Sequence, residues 1–329
     1  MKLIDFKNIN EEIPPSVATI GFFDGLHKGH QFLLQQLVKN AAAEGKKSLV
    51  ITFGKHPNVF LQSQPSKKLI TTFDEKIDML SELNIDFCVV LDFTQEISKL
   101  SAVDFMHLIH TKLSVELLLV GYDHRFGHNR IEKFDDYKKY GNDIGMQVIQ
   151  VQPFVMGKGL DVSSSKIRHL IQQGNIETAN NLLGYNYFFS AKVVCGLKIG
   201  RTIGFPTANL ELLCQNKIMP VQGAYCVKVT LENQVCFGMM NIGYNPTRVR
   251  STDSDPVKSI EVNIFDFSEN IYDKILKITF LDKIRDEIKF TSMELLVEQL
   301  KKDREHCKAI IASFSGCEKE PTCNMRGYY

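Results

Sequence analysis

Gly21-Phe22-Phe23-Asp24-Gly25-Leu26-His27-Lys28-Gly29-His30 decides how this chain is read. The stretch stands between a β-type run, Val-Ala-Thr-Ile-Gly at 17–21, and helical periodicity from His30 to about Glu44. In an open α/β sheet that junction opens on the ligand crevice. A helix N-terminus there presents unpaired N–H groups and the positive end of a dipole to phosphate. Two histidines three apart across a glycine can face one phosphate from the first helical turn, and the glycines let a nucleotide approach the backbone closely. A helix cap with incidental histidines is the competing reading; the place after the first strand and the adjoining Phe-Asp-Gly weigh against it.

Outward from that stretch, apolar runs alternate with helical periodicity. Lys47–Phe53 follows the first helix, and Asp86–Phe93 follows a helical stretch over 73–83. A helix over 102–113 then precedes Val115–Tyr122, and a helix over 134–145 precedes 146–152. Near-continuous apolar strands separated by helices predict a parallel sheet covered on both faces. After Gly184 the pattern changes: five β-type runs follow one another with turn residues between them and no helical stretch, which predicts an antiparallel sheet or small barrel. One amphipathic helix over 292–313 closes this half, with Leu295, Leu296, Leu300, Ile310 and Ile311 as its docking face. The boundary is expected near 184–187.

At 329 residues the chain exceeds one ordinary domain, so two domains are the starting expectation. Lys plus Arg (39) nearly equals Asp plus Glu (38), which argues against a polynucleotide partner held by its phosphates. No apolar run approaches the roughly 18 residues needed to cross a bilayer, and the N-terminus has no signal-peptide pattern. A soluble, cytoplasmic protein is expected, with no membrane partner. Eight cysteines without a C-x-x-C pair argue against a zinc ribbon or a disulfide framework. Most read as reduced core residues, and Cys317 and Cys323 as exposed thiols of the tail.

Two further stretches carry chemistry. In Val162-Ser163-Ser164-Ser165-Lys166-Ile167-Arg168, serines capping a helix with an arginine one turn in form an anion site suited to a triphosphate, although such serines are usually only caps. In Gly200-Arg201-Thr202-Ile203-Gly204-Phe205-Pro206-Thr207-Ala208-Asn209, glycines permit backbone donation to phosphate. The Thr207 hydroxyl and Asn209 carbonyl are hard oxygen ligands suited to Mg²⁺, and Pro206 holds Phe205 extended. A Gly/Pro turn between strands would explain any four of these residues but not the full string.

The first stretch resembles the G-x-F-D-G-x-H-x-G-H signature of nucleotidyltransferases, and the whole chain resembles the prokaryotic bifunctional riboflavin kinase/FAD synthetases. Thr52-Phe53-Gly54-Lys55-His56-Pro57 is similar to that family's T-F-x-P-H-P, Gly121–Gly127 to its G-x-D-F-R-F-G, and Val162–Arg168 to its I-S-S-T-x-I-R. Gly200–Asn209 is similar to the kinases' G-R-x-x-G-F-P-T-A-N, Asn241–Thr247 to N-I-G-x-R-P-T, and Arg285–Phe290 to R-D-E-x-K-F. Phe22, Lys55, His124 and Asn245 depart from these patterns. The resemblance covers roughly residues 15–312.

It implies a Rossmann-like FMN adenylyltransferase (FAD synthetase) domain over 1–185, a riboflavin kinase domain with a six-stranded antiparallel β-barrel and closing helix over 186–313, and a tail, 314–329, of no assigned role. Riboflavin and ATP would be substrates, FMN and FAD products, with Mg²⁺ as cofactor and a monomer as the favoured state. Catalytic parts would fall to His27, His30, Arg168 and Glu261, the last accepting the ribityl 5′-hydroxyl proton. ATP phosphates would meet Gly21, Phe23, Asp24, Gly25, Gly29, Ser163, Ser164 and Ser165 in one domain, and Gly200, Arg201, Gly204 and Pro206 in the other. Thr207 and Asn209 would hold the metal. His56, Asp123, Arg125, Arg285 and Glu287 would border the flavin; an ion pair in a loop competes for Asp123 and Arg125, and a solvated turn for Arg285 and Glu287. Two other readings are a chain active only as a kinase and a flavin or nucleotide sensor without activity. The presence of His27, His30, Ser164 and Arg168 argues against the first, and of Asn209 and Glu261 against the second. A tRNA-charging enzyme fits neither the kinase-like half nor the charge balance.

Overall fold

A computed structural model describes residues 1–9, 12–54, 68–128, 131–156, 160–196, 199–249 and 256–315, with backbone alone at 156, 160–161, 199, 244–249, 256–258 and 315. By internal contacts the chain divides into two compact units, Met1–Ile167 and Arg168–Tyr329. The division falls inside a helix, Ser164–Gln172, and a second helix, Ile176–Leu183, lies between it and the boundary expected near 185.

In the first unit the strands are β1 (Lys2–Asp5), β2 (Ser16–Ile20), β3 (Lys47–Phe53), β4 (Phe87–Leu91), β5 (Val115–Gly121) and β6 (Gln147–Val151). They form one parallel sheet in the order β1-β4-β3-β2-β5-β6. Helices α1 (Lys28–Ala43), α2 (Phe73–Ser81), α3 (Gln95–Lys99), α4 (Ala102–Leu113) and α5 (Phe134–Ile144) make the crossovers. A short hairpin, β7 (Val155–Met156) with β8 (Leu160–Asp161), precedes α6 (Ser164–Gln172) and α7 (Ile176–Leu183).

Strand residues alternate between two cores. Ala18, Ile20, Leu49, Ile51, Leu118 and Val120 pack on one face of the sheet, and Val17, Val50, Leu117 and Leu119 on the other. That is the two-sided burial the unbroken apolar runs predict. The buried hydroxyls on β2 are satisfied by neighbouring carbonyls, Ser16 donating to Leu113 O at the end of α4 (3.2 Å) and Thr19 to Leu119 O on β5 (2.9 Å). Strand β1 was not legible, because an edge strand of four residues with one buried position, Ile4, has no periodicity to read.

The strand order locates the crevice. Adjacent β2 and β5 send their connections in opposite directions, β2 to β3 on one side and β5 to β6 on the other. Their C-terminal ends therefore flank the topological switch point. The Gly21–His30 stretch leaves β2, and the Gly121–Gly127 stretch leaves β5.

In the second unit, β9 (Phe188–Val194), β10 (Ala208–Leu212), β11 (Gly223–Leu231), β12 (Gln234–Val249), β13 (Pro256–Ile264) and β14 (Ile275–Arg285) close an antiparallel barrel in the order β10-β13-β12-β11-β14-β9. One expectation fails here: a short helix, α8 (Ile199–Thr202), interrupts the β half inside the Gly200–Asn209 stretch. The closing helix α9 (Met293–Ser315) is present, but its docking face differs from the expected one. Leu295 is 49% exposed, whereas Cys307 is fully buried with Phe205, Cys226, Met239 and Leu281, and Val297, Leu300, Ile310, Ile311 and Phe314 pack around them. The stripe is rotated from Leu295 toward Cys307 and the buried, charged Asp303, which apolar periodicity alone cannot register.

Candidate active sites

The turn after β2 is held in unusual backbone conformations. Phe23 (φ +54°), Gly25 (φ +78°) and Leu26 (φ +34°) all occupy the left-handed region, a cost that a buried, over-determined turn can sustain. Phe23 folds its ring back over Gly21, where a Cβ would come 2.8 Å from the ring. The Phe23 ring also stands edge-on to His30, centroids 5.3 Å apart. Asp24 is buried, and its Oδ1 accepts the N–H groups of Ile70 (2.9 Å) and Thr71 (3.0 Å), while Gly25 N donates to Thr71 Oγ1 (3.0 Å). These bonds make the Asp24 carboxylate a tether between two loops. Ser164 Oγ donates to Asp24 O (2.9 Å), so this serine joins the same turn from the start of α6, and Ser163 is the cap that accepts Lys166 N (3.3 Å). Ser163 and Ser165 are exposed, and Arg168 lies one turn into α6.

The histidines meet at the N-terminus of α1. His27 is its N-cap, Nδ1 accepting the His30 N–H at 3.3 Å, which places the ring proton of a neutral His27 on Nε2. The two rings stack, centroids 3.7 Å apart and 18° between planes. A Cβ at Gly29 would come 3.2 Å from His27 Nδ1, a close approach that suits glycine. His30 is held well below its ordinary pKa, first by burial and then by the charges of His27, His124 and Lys76. His30 Nδ1 is buried without a partner among the described residues.

The loop after β5 carries Asp123 and Arg125, both exposed, on a backbone pinned from beneath. Tyr137 Oη accepts Phe126 N (3.0 Å) and donates to Phe126 O (3.1 Å), and the two rings stack at 4.3 Å. His56, expected at the flavin, and Lys55 lie outside the described residues.

In the barrel, cross-strand register assembles the second site. Asn209 on β10 faces Glu261 on β13, Glu261 faces Asn241 on β12, Asn241 faces Ala224 on β11, and Ala224 faces Arg285 on β14. Directly opposed residues share a face. Two positions along that face stand Cys226 and Met239, which pack with Cys307 of α9, so the row lies on the outer side of the barrel beside the helix. Glu261 is aimed by two hydroxyls: Thr207 Oγ1 donates to Oε2 (3.2 Å) and Ser259 Oγ to Oε1 (3.0 Å). Asn263 Nδ2 donates to Pro206 O (2.7 Å) and anchors the Phe205-Pro206 segment. Phe205 N donates to Gly200 O (2.8 Å), in a turn too tight for a Cβ at Gly200. Gly204 has φ +78°, and Arg201 is exposed. The Asn209 amide lies on Gly196 and the Glu287 carboxylate on Gly243, each filling space a Cβ would take. The side chain of Asn245 is outside the description.

Arg285, expected beside the flavin, has its guanidinium committed elsewhere. Nε donates to both oxygens of Asp303 (3.1 and 3.0 Å), Nη2 to Asp303 Oδ2 (2.8 Å) and Nη1 to Asp286 O (3.0 Å). Gln299 also donates to Asp303 (2.8 Å). A bidentate pair with a buried carboxylate clamps the end of β14 to α9 and thereby holds the Asp286–Glu287 segment.

Four residues that matter to these geometries escaped the sequence reading: Lys76, Tyr137, Ser259 and Asp303. Ser259 had a signal, since it precedes Glu261 by two on one strand and so shares its face. The others read as ordinary polar helix positions.

A parallel sheet with a histidine-capped helix at its switch point, and a closed barrel whose outer row sets a carboxylate beside hard oxygen donors, define a two-unit phosphate-transfer protein. Comparisons with known proteins agree. A family model described as FAD synthetase matches residues 9–166, and one described as riboflavin kinase matches residues 183–311. The chain is similar to the bifunctional riboflavin kinase/FMN adenylyltransferases of Listeria monocytogenes (36% identity, 90% of this chain and 92% of that one) and Bacillus subtilis (35%, 94% and 96%). The Escherichia coli protein of the same name is 33% identical over 87% of this chain and 90% of its own length. A crystal structure described as a macrolide-efflux protein from Streptococcus pneumoniae superposes with a TM-score of 0.84 at 33% identity, over 94% of this chain and 99% of that one. Among the described residues no helix is long and apolar enough to cross a membrane. The chain belongs to the family of bifunctional riboflavin kinase/FMN adenylyltransferases.

Proposed function

We propose that the barrel unit transfers the γ-phosphoryl group of ATP to riboflavin, and that the α/β unit transfers AMP from ATP to the FMN so formed, releasing pyrophosphate and giving FAD. The chain carries both family domains and is thus a kinase and a nucleotidyltransferase of flavin biosynthesis. The observation that carries the reading is that each unit has its own phosphate-facing group, the stacked His27–His30 pair in one and the Thr207–Glu261 pair in the other. We assign 1–185 to adenylyl transfer and 186–313 to the kinase, and the chain to the cytoplasm as a monomer without a nucleic-acid partner.

In adenylyl transfer an FMN phosphate oxygen attacks the α-phosphorus as the bond to the bridging oxygen breaks. His27 Nε2–H and the α6 N-terminus supply donors in fixed positions, which is what such a transfer needs most, and the tethered Gly21–Gly25 turn holds the approach open beside them. His30 is neutral in the free protein, and the negative charge of a bound triphosphate favours its protonated form, so it stabilises charge as pyrophosphate departs. Ser164 extends the anion site, and Arg168 is assigned to the same reaction. Asp123 and Arg125 border the ligand from the loop after β5.

In phosphoryl transfer Glu261 accepts the proton of the ribityl 5′-hydroxyl while that oxygen attacks the γ-phosphorus. Ser259 and Thr207 aim the carboxylate. The donor set fits Mg²⁺: the Thr207 hydroxyl spends its hydrogen on Glu261 and keeps lone pairs, and the Asn209 carbonyl is a second hard oxygen. Bound there, the metal would neutralise charge on the ATP phosphates. Glu287 borders the flavin, and Arg285 acts by holding it.

The test is one incubation of the full chain with riboflavin and MgATP, with flavins separated over time. FMN is expected first and FAD later at its expense. A protein that makes FMN but no FAD, or FAD from supplied FMN but none from riboflavin, sinks one half of the reading.

A further inference from the structure

Lys76 sits in Asp74-Glu75-Lys76, the first turn of α2, where sequence alone predicts a solvated residue, yet it is 3% exposed. Its chain runs inward to the ligand end of the sheet. Nζ donates to Thr52 Oγ1 (3.0 Å), Phe53 O (3.1 Å) and Phe22 O (3.2 Å), which uses all three ammonium hydrogens. The first two acceptors end β3, and the third belongs to the turn after β2. The rings of Phe22 (4.6 Å) and Phe73 (5.6 Å) lie against the charge. Phe22 is one of the positions at which this chain departs from the family pattern.

A buried ammonium is costly without a paired carboxylate. Among the described residues none forms an ion pair with Lys76. The carboxylate that acts on it, Asp24, spends its Oδ1 on Ile70 and Thr71. Residues 55–67 contain neither Asp nor Glu. The titratable groups around it are Asp24 from the turn, Cys88 from β4 and His30 from α1. Burial pulls its pKa down to about 8, which still leaves the ammonium the main form at neutral pH.

We infer that Lys76 is a positioning residue of the adenylyl-transfer site: it ties the Gly21–Gly25 turn to the end of β3 and stores beside the crevice a positive charge that the ATP polyphosphate balances. The inference rests on the assignment of ATP to this unit. A ligand that favours the charged lysine must, by linkage, raise its proton affinity.

The test uses the full chain with Lys76→Met. The KM for ATP in making FAD from FMN is expected to rise roughly tenfold, the factor by which bound ATP favours the charged lysine over a neutral side chain, while riboflavin phosphorylation by the same preparation is unchanged. FAD formation with an unaltered KM for ATP overturns the inference. Should the variant fail to fold its α/β unit, the wild-type protein decides through the side-chain resonance of Lys76, titrated with and without a nonhydrolysable ATP analogue. The analogue is expected to raise the proton affinity of Lys76 by roughly tenfold; no change overturns the inference. A wild-type protein that makes no FAD from FMN counts against the assigned reaction, and the analogue titration still decides the part played by Lys76.

Discussion

In the α/β unit most of the groups proposed to meet phosphate come from one unbroken run, Gly21–His30. In the barrel they come from separate strands, with Asn209, Glu261 and Asn241 brought into one row by register. The first site is built of backbone: a turn with three residues at positive φ, a cap and a helix N-terminus, with its side chains Asp24, His27 and Phe23 buried. The second is built of side chains on a regular sheet, half-exposed and aimed by neighbouring hydroxyls. The difference teaches where each site is fragile. A turn at positive φ fails when its tethers or glycines are lost, whereas a row on a barrel fails when a single functional group is removed and the sheet stays intact.

Crossed substitutions give the largest expected effect. Glu261→Gln should lower FMN formation by roughly 10²–10⁴-fold through loss of the base, with FAD formation from supplied FMN unchanged. His30→Ala should lower FAD formation by roughly 10²–10³-fold, with FMN formation unchanged. Flavin chromatography reads both, and a variant that disables the two steps equally while folded breaks the comparison. Next in size is Arg285→Leu, which leaves Asp303, 2% exposed, as an unpaired buried charge. A loss of about 3–5 kcal/mol is expected in the unfolding of the barrel unit, measured by calorimetry, and a change below about 1 kcal/mol would remove the clamp from the argument. The smallest is Tyr137→Phe, which strips the hydroxyl bonded to both polar atoms of Phe126. About 1–3 kcal/mol of stability should go, together with amide-exchange protection confined to the loop after β5. Protection lost across the whole α/β unit would show that Tyr137 serves the core and not that loop.

Much of this was legible in advance. Period-two and unbroken apolar runs are local signals, and they separated a two-sided parallel sheet from an antiparallel barrel. The Gly21–His30 and Gly200–Asn209 stretches carried their chemistry in contiguous residues. Arg285 shows where reading by position stops: the partner that holds its guanidinium, Asp303, lies on a helix with no local mark of the pairing. Leu295 shows the same for burial, since apolar character alone assigned it to the docking face that Cys307 and Asp303 occupy.

By itself the sequence determined the two architectures and their order along the chain, because periodicity, turn chemistry and helix capping act over a few residues. Only the tertiary structure decided that β2 and β5 lie side by side, so that turns about a hundred positions apart share one crevice. It also decided that Asn241 falls in line with Glu261 and that Lys76 points inward. Those outcomes depend on which surfaces pack together, and the free energy of burying a long charged side chain is set by its surroundings and not by its neighbours in the chain.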